Sequence, residues 1–415
     1  MGKMNNFSVN EKFDKLIYVC LILFTLTFYM DIPINFIVLA FGLGLVKIIF
    51  IRTEIRFNSK HIQFILFFLL MILLSVIFNS EQSFGTGIKA YKSMYISPLT
   101  GIFLACFFKF SKRRAIVLLS CFAAVLFVNA FTAIVQAFYG ISIEDRVIGF
   151  FNDKMLLAAA HMLILPATLA VLVFTEKLPT QLSCFYLATI LINIPAVILA
   201  NTRIVWIGLS IVYSLILCIG IKDKMKIAAG IFAMFIIAAV VIYANPISQN
   251  RLDSITNLSI NQQTGYQSNR ERLLMWQSAW QMFQDYPAFG VGVNNFYQQY
   301  RDKYKEPTAV ETPWHAHNLI LNSLAETGAV GSVGLIVLFI YLYYDVIRTW
   351  RKDKSLAAAV YFFSLFTFSI NFLTDVLFCG HYLKMPTYIF WLITGIYLSF
   401  NKYIDIEIKN DNHNK

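Results

Sequence analysis

Charged residues are scarce in this chain, and their scarcity excludes most classes of soluble protein. Among 415 residues, 14% are charged and 58% are hydrophobic, and the mean hydropathy is +0.64. A soluble domain carries about 25% charged residues. With so little charge the chain cannot cover a water-facing surface. The composition therefore excludes a soluble enzyme, a disordered chain and a coiled coil, and it indicates a polytopic membrane protein.

Paired cysteines and acidic pairs are missing as well. The six cysteines are scattered through apolar stretches without a Cys-x-x-Cys pair, so neither a disulfide framework nor a zinc site is predicted. No Asp-x-Asp pair lies on an outer loop, which disfavours a metal-held sugar nucleotide. We expect no cofactor and no bound metal. The net charge of +11 would suggest nucleic acid in a soluble protein, but in a membrane protein basic residues gather on cytoplasmic loops, so no nucleic-acid partner is expected.

Apolar runs of membrane-crossing length recur along the whole chain. A helix needs roughly 20 such residues to cross about 30 Å of hydrocarbon. The runs are continuous and lack the period-two alternation of a membrane β-barrel. The sequence therefore predicts an all-α polytopic membrane protein with about twelve transmembrane helices, at residues 16–30, 34–51, 62–78, 93–108, 115–138, 156–174, 182–200, 204–221, 227–244, 328–347, 356–373 and 387–400.

The distribution of basic residues predicts the orientation of these helices. If the N-terminus is cytoplasmic, the inside segments hold 21 Lys and Arg residues, whereas the short outside loops hold 6. Lys and Arg are enriched on the cytoplasmic side of membrane proteins. We therefore predict that both termini are cytoplasmic.

One predicted outer loop is far longer than the others. It covers residues 245–316, and loops of such length are usually functional or disordered. The predicted organisation is nine transmembrane helices in residues 1–244, an outer loop with amphipathic helices and motifs in 245–327, and three further helices with a cytoplasmic tail in 328–415. The extra mass lies after the ninth span, and this asymmetry argues against a transporter built from parallel repeats.

The long loop contains signals for an amphipathic helix. Residues 268–271 read Ser-Asn-Arg-Glu, a capping box that predicts a helix start at Ser268. An apolar stripe at helical spacing follows, which we expect either on the membrane surface or packed on the transmembrane helices. Its members are Leu273, Trp276, Trp280 and Phe283.

Glycines mark two further places. Gly328, Gly331 and Gly334 begin the tenth predicted span and allow close contact with another helix. Gly290-Val-Gly292 is not interpreted as a nucleotide loop, because no strand precedes it and it lies on the outer side.

Three arginines on the outer side are candidates for binding an anion. Arg203 occupies a very short outer turn that holds it close to the bilayer; the alternative role is a single Arg reaching towards lipid headgroups. Arg270 and Arg272 lie at the start of the loop helix, where free N–H groups attract anions and an Arg adds bidentate recognition of phosphate. Their alternative partners are Glu271 and lipid phosphate. Trp276 lies one turn after Arg272 on the same helix face.

Two histidines precede the tenth predicted span. His315 and His317 occur in the sequence Trp-His-Ala-His-Asn, and an imidazole accepts a proton near neutral pH. The His-x-His spacing also suits half of a metal site, but no acidic or Cys cluster accompanies it at a ligand spacing. A catalytic base is therefore favoured over a metal ligand.

Taken together, these segments resemble the bacterial O-antigen ligase family. Each is unspecific alone, and the resemblance lies in their order, spacing and common side of the membrane. The segments are Arg146-Val-Ile-Gly149-Phe150-Phe151-Asn152, Thr202-Arg203, Arg272-Leu-Leu-Met-Trp276, Pro287-x-x-Gly290-x-Gly292, His315-Ala-His317-Asn318 and Leu324-Ala-Glu326-x-Gly328.

The resemblance implies a metal-independent glycosyltransferase of the bacterial inner membrane with a periplasmic active site. It implies transfer of an undecaprenyl-diphosphate-linked O-antigen glycan to lipid A–core, with inversion at the anomeric carbon. Membrane lipids are expected as further partners. By the family pattern, Arg203 and Arg272 bind the donor diphosphate and His317 is the catalytic base, although His315 stays open as the base. Our further substrate-binding candidates are Arg270, His315, Trp276 and Arg146. An O-antigen polymerase of the same superfamily remains the alternative, and a polysaccharide transporter or flippase is less favoured.

Overall fold

The computed structural model describes residues 2–30, 34–51, 59–108, 110–143, 146–256, 267–378 and 384–411. The regular secondary structure of these residues is helical. The only pairing of extended backbone within them is an isolated antiparallel bridge between Ile143 and Arg146. The predicted all-α class is confirmed.

The helices follow the apolar runs of the sequence. They are α1 (Gly2–Thr27), α2 (Ile34–Ile51), α3 (Ser59–Ile77), α4 (Phe84–Tyr91), α5 (Thr100–Phe107), α6 (Lys112–Phe138), α7 (Lys154–Phe174), α8 (Thr180–Leu199), α9 (Arg203–Gly220), α10 (Lys224–Ala244), α11 (Pro246–Thr256), α12 (Gln267–Asp285), α13 (Phe296–Gln299), α14 (Leu319–Asp353), α15 (Leu356–Asn371) and α16 (Met385–Asp411).

Seven of the described helices are long and apolar enough to cross a membrane: α3, α6, α7, α8, α9, α10 and α14. Shorter apolar helices lie at Ile34–Phe50, Leu356–Asn371 and Met385–Phe400. The protein is thus a multi-pass membrane protein, and the count of twelve spans stays a prediction.

The fourth predicted span, 93–108, is not one helix. A π-helical turn at Lys92–Ile96 and a 3₁₀ turn at Ser97–Leu99 separate α4 from α5, because Pro98 lacks the N–H that a continuous helix needs.

The bundle is arranged around α7. Its residues from Leu156 to Val171 are all buried, whereas no residue of α10 is buried. Helices α9 and α15 pack on α7, and α6 packs on α8. Helix α14 packs along α3, where Gly334 faces Met71 and the carbonyl of Phe68. The predicted close helix contact is therefore confirmed for Gly331 and Gly334, whereas Gly328 faces Ala288 in a loop.

Helix α14 is broken at Gly328, and a loop from the preceding segment fills the break. Gly328 has φ 62° and ψ −165°, which only glycine adopts readily. On either side of it, Ala325 and Glu326 accept hydrogen bonds from Val291 (2.8 Å) and Gly292 (3.0 Å). Ala329 and Val330 donate to Pro287 (2.8 Å) and Ala288 (3.1 Å). The two glycine motifs of the sequence thus meet and satisfy each other's backbone groups.

The segment between α10 and α14 has a small core of its own. Met275, Ala279 and Met282 of α12 are buried against Phe296 and Tyr300. This face differs from the predicted stripe, since Leu273 is 53% exposed and Trp280 46% exposed. The predicted capping box is also wrong: α12 already includes Gln267 and Ser268. The carboxylate of Glu271 instead binds a distant loop.

We expect Gly328→Ala to destabilise the protein. A side chain at positive φ costs about 1–2 kcal/mol, and the added Cβ would overlap the carbonyl of Ala288. Gly42→Ala is the matched control, because Gly42 lies within α2 with open space around it. Thermal unfolding in detergent, followed by the loss of monodisperse protein, should show a lower midpoint for Gly328→Ala alone. Equal midpoints for the two variants would contradict the role assigned to the break.

Candidate active site

The two histidines lie on a tight turn that leads into α14. Asn318 caps this helix by accepting hydrogen bonds from the N–H groups of Ile320 and Leu321, both at 3.0 Å. His317 has φ 50°, a left-handed conformation that non-glycine residues rarely adopt. Its N–H donates to Nδ1 of His315 at 3.2 Å, and the two ring centroids are 4.3 Å apart. The turn therefore holds both imidazoles side by side.

A buried carboxylate faces both histidines. The segment after α15 is attached to the histidine turn, because Leu319 donates to the carbonyl of Phe372 at 2.8 Å. This attachment places Asp375 Oδ1 3.7 Å from Nε2 of His315 and 3.8 Å from Nδ1 of His317. Since Nδ1 of His317 faces the carboxylate, Nε2 is the nitrogen left to accept a proton.

The surroundings of this cluster control its charge. Burial lowers the pKa of His315 to about 4, and the positive charge of Arg272 contributes in the same direction against the pull of Asp375. Burial acts to raise the pKa of Asp375, but His317 and His315 stabilise the carboxylate and bring its pKa to about 2. At neutral pH the cluster therefore contains a neutral His315 beside an ionised carboxylate.

Arg203 lies at the start of α9 and contacts the loop helix. One of its Nη atoms donates to Oδ1 of Asn269 at 2.8 Å. Next to it, Arg146 donates to the hydroxyl of Thr202 at 3.4 Å, and Val147 donates to the carbonyl of Leu199 at 3.1 Å. Both arginines are half-buried. The backbone contact explains why Arg146, which is distant in sequence, reaches the same place.

Helix α12 connects the arginines with the histidines. Asn269 and Arg272 are three residues apart and therefore neighbours on one helix surface. Arg203 contacts the first, and the charge of the second acts on His315. The structure thus brings Arg146 and Arg203 together near the start of α12, and the charge of Arg272 on that helix acts on His315, which lies beside His317.

The two remaining sequence candidates also lie on α12. Arg270 and Trp276 are both half-buried. The indole N–H of Trp276 is buried and has no hydrogen-bond partner among the described residues. Their roles in substrate binding stay predictions.

Hydrogen bonds to Glu271 attach the loop that precedes His315 to α12. Its carboxylate is fully buried and accepts hydrogen bonds from the N–H groups of Val310 (3.2 Å) and Glu311 (3.0 Å). The loop continues to Trp314, which stacks on Tyr297 with ring centroids 4.1 Å apart. Glu271 therefore helps to set the distance between its neighbour Arg272 and the histidine turn.

Sequence reasoning assigned no role at the site to Asp375, Asn269 or Glu271. The signal for Asp375 was its position in apolar surroundings, since an isolated acidic residue beside a membrane span usually has a function. Asn269 and Glu271 carry no comparable signal, because polar residues at the start of a loop helix are common. Only the fold shows what their side chains contact.

The cluster also contains residue types that bind metals. The donor atoms of His315, His317 and Asp375 lie within 4.8 Å of one another. A transition metal would require all three to approach one centre to about 2.0–2.2 Å. The absence of a metal stays a prediction, and a chelator tests it below.

Comparison with known proteins identifies one family. The family model described as O-antigen ligase matches residues 188–336, which is less than half of the chain. The match runs from α8 to α14 and includes Arg203, Arg272, His315 and His317, whereas Arg146 and Asp375 lie outside it. No curated protein matches the chain.

Replacing Glu271 with Gln should loosen the loop that leads to the histidines. Hydrogen bonds to a charged group contribute about 1.5–3 kcal/mol each, and the amide of Gln has only one accepting oxygen. Glu311→Gln is the control, because Glu311 is exposed. Hydrogen exchange of the amides of residues 306–318 should become faster in Glu271→Gln and stay unchanged in the control. Unchanged exchange in both variants would contradict the assignment.

The lowered pKa of His315 predicts a loss of stability in acid. An unfolded chain protonates this histidine near pH 6.5, whereas the folded protein does so near pH 4. Between these values the unfolded state binds more protons, so the stability falls as the pH falls. In His315→Gln the unfolding midpoint should therefore decrease less between pH 6.5 and pH 4 than in the wild type. The same decrease in both proteins would show that the folded protein does not keep His315 neutral over this pH range.

Proposed function

We propose, on the premise that the chain belongs to the O-antigen ligase family, that it transfers an undecaprenyl-diphosphate-linked O-antigen glycan to lipid A–core. The reaction would take place at the periplasmic face of the bacterial inner membrane. The observation that carries this proposal is the arrangement around α12: Arg203 contacts this helix, and the charge of Arg272 on it acts on a histidine pair that faces a buried carboxylate.

A groove beside Arg203 suits the polyprenyl chain of the donor. It encloses about 640 Å³ between α8, α9 and α10, with Val197, Trp206 and Ile242 among its apolar walls. Along α9 it extends from Trp206 to Ser214, which is about 12 Å of helix. Trp206 lies one turn after Arg203, so a lipid in the groove would present its diphosphate to the arginine.

The arginines would stabilise the leaving group. As the anomeric carbon–oxygen bond of the donor breaks, negative charge grows on the diphosphate. Fixed guanidinium groups stabilise such developing charge because they need no reorganisation during the reaction. Asn269 of α12 holds the guanidinium group of Arg203, and Arg272 lies on α12 as well. Both arginines are therefore positioned before the donor binds.

His317 would act as the base. The acceptor hydroxyl attacks the anomeric carbon, its proton passes to Nε2 of His317, and the donor leaves as polyprenyl diphosphate. Asp375 faces the other ring nitrogen and stabilises the imidazolium that forms. Attack from the side opposite the leaving group inverts the anomeric carbon. In this scheme neither a metal nor a nucleotide is needed.

Two rival functions remain. A polymerase of the same superfamily would add repeat units to lipid-linked glycan and would use the same donor chemistry. A transporter or flippase would need polar groups along a path through the bundle. The candidate site residues instead lie at one end of the bundle, where α9 and α14 begin and α15 ends.

We expect Arg203→Ala and Arg272→Ala each to lower the turnover number about 10²–10³-fold, as for loss of one charge-stabilising donor. For His317→Ala we expect a loss of about 10²–10⁴-fold, as for loss of a general base. Arg301→Ala is the control, because Arg301 is exposed and pairs with its neighbour Asp302. The assay joins purified lipid-linked glycan to lipid A–core in detergent, with EDTA present. Full activity of all three variants would remove the site assignment, and loss of activity in EDTA would indicate a metal.

The ligase and polymerase functions differ in a deletion strain. Without a ligase, lipopolysaccharide on a gel should show bare core while lipid-linked polymer accumulates. Without a polymerase, the core should still carry one repeat unit. Persisting long O-chains on lipid A–core would exclude both functions for this protein.

A further inference from the structure

A second cleft lies at the opposite end of the bundle from the candidate active site. It has a volume of about 390 Å³ and separates the first half of α6 from the last apolar turns of α16, with α7 and α15 behind it. Its walls include Leu119 and Phe122 on one side and Ile393 and Phe400 on the other. None of the residues assigned to glycan transfer lines it.

The depth of the cleft corresponds to one leaflet of a membrane. Along α6 the lining runs from Lys112 to Phe122, which is about 15 Å of helix. The hydrocarbon core of a bilayer is about 30 Å thick. An acyl chain of a single leaflet therefore fits the length of the apolar lining.

The mouth of the cleft is suited to an anionic headgroup. Lys112 is the first residue of α6, and Ser355 caps the first turn of α15, so two helix N-termini meet there. Helix N-termini bind phosphate through their free N–H groups. Exposed basic residues flank the mouth on both sides, and the only acidic residue between Lys352 and Lys354 is the exposed Asp353; the basic residues are Lys112, Arg113, Lys352 and Lys354.

We propose that this cleft binds one anionic phospholipid of the cytoplasmic leaflet, with its phosphate at Lys112 and Ser355 and one acyl chain between α6 and α16. Basic pockets between transmembrane helices on the cytoplasmic side are suited to such headgroups. The distribution of Lys and Arg in the sequence predicts that this end of the bundle is cytoplasmic. The proposal does not depend on the glycan-transfer function.

Native mass spectrometry of the full-length protein in detergent tests the site. Phosphatidylglycerol and phosphatidylcholine with identical chains are titrated as probes. We expect one phosphatidylglycerol to be retained with higher affinity than phosphatidylcholine. Lys112→Gln should weaken this binding about fivefold, as for loss of one basic residue near an anionic surface. Val360→Trp, which fills the cleft, should weaken retention of either lipid.

Matched variants on α10 control for general effects. Lys224 is likewise exposed and the first residue of its helix, and Val240 is exposed outside the groove that α10 lines. Lys224→Gln and Val240→Trp should bind phosphatidylglycerol like the wild type. Equal retention of the two lipids by the wild type, or equal weakening by Lys112→Gln and Lys224→Gln, would overturn the proposal. If Val360→Trp does not fold, the two lysine variants still decide between these outcomes.

Discussion

The candidate site depends on the attachment of helix α12 to the helix bundle on one side and to the histidine loop on the other. Arg203 binds Asn269 near the start of the helix, and the buried carboxylate of Glu271 binds the backbone of the loop that precedes His315. Both contacts lie within one turn of Arg272. A helix held in this way fixes the relative positions of groups that are more than one hundred residues apart in the chain, and fixed positions are what charge stabilisation in catalysis requires.

The turn that contains His315 and His317 has a strained backbone, and a buried carboxylate lies beside both of its imidazole rings. His317 adopts a left-handed backbone conformation, and such conformations persist only where the surrounding structure imposes them. Here the cap at Asn318 and the backbone bond from Leu319 to Phe372 impose it. The same bond brings Asp375 beneath both imidazoles, so one local arrangement determines the ring orientation and supplies the negative charge. The break at Gly328 lies farther along α14, where the loop around Gly290 forms backbone hydrogen bonds with Ala325 and Glu326.

Much of the fold follows from hydropathy, because a helix that crosses hydrocarbon must be apolar over most of its length. The helices from α6 to α10 therefore agree with the predicted spans. Local patterns were less reliable. The fourth predicted span is helical but divided near Pro98 into segments of different helix type, and Ser268 is not a cap because the helix begins before it. The apolar stripe of Leu273 and Trp280 is exposed, while Met275, Ala279 and Met282 form the buried face. An apolar face of a helix beside a membrane can pack either against lipid or against the protein interior. The sequence pattern does not show which of the two it contacts.

The sequence by itself determined the membrane character and the positions of most helices, and it led to the prediction that Arg203, Arg272, His315 and His317 form the site. Composition and residue type carry this information, because the cost of burying charge in lipid acts on every residue separately. Only the tertiary structure decided which groups meet. Asp375 beside the histidines, Asn269 beside Arg203 and the two lipid-sized clefts all arise from segments distant in the chain, and such contacts depend on how helices pack rather than on any local pattern.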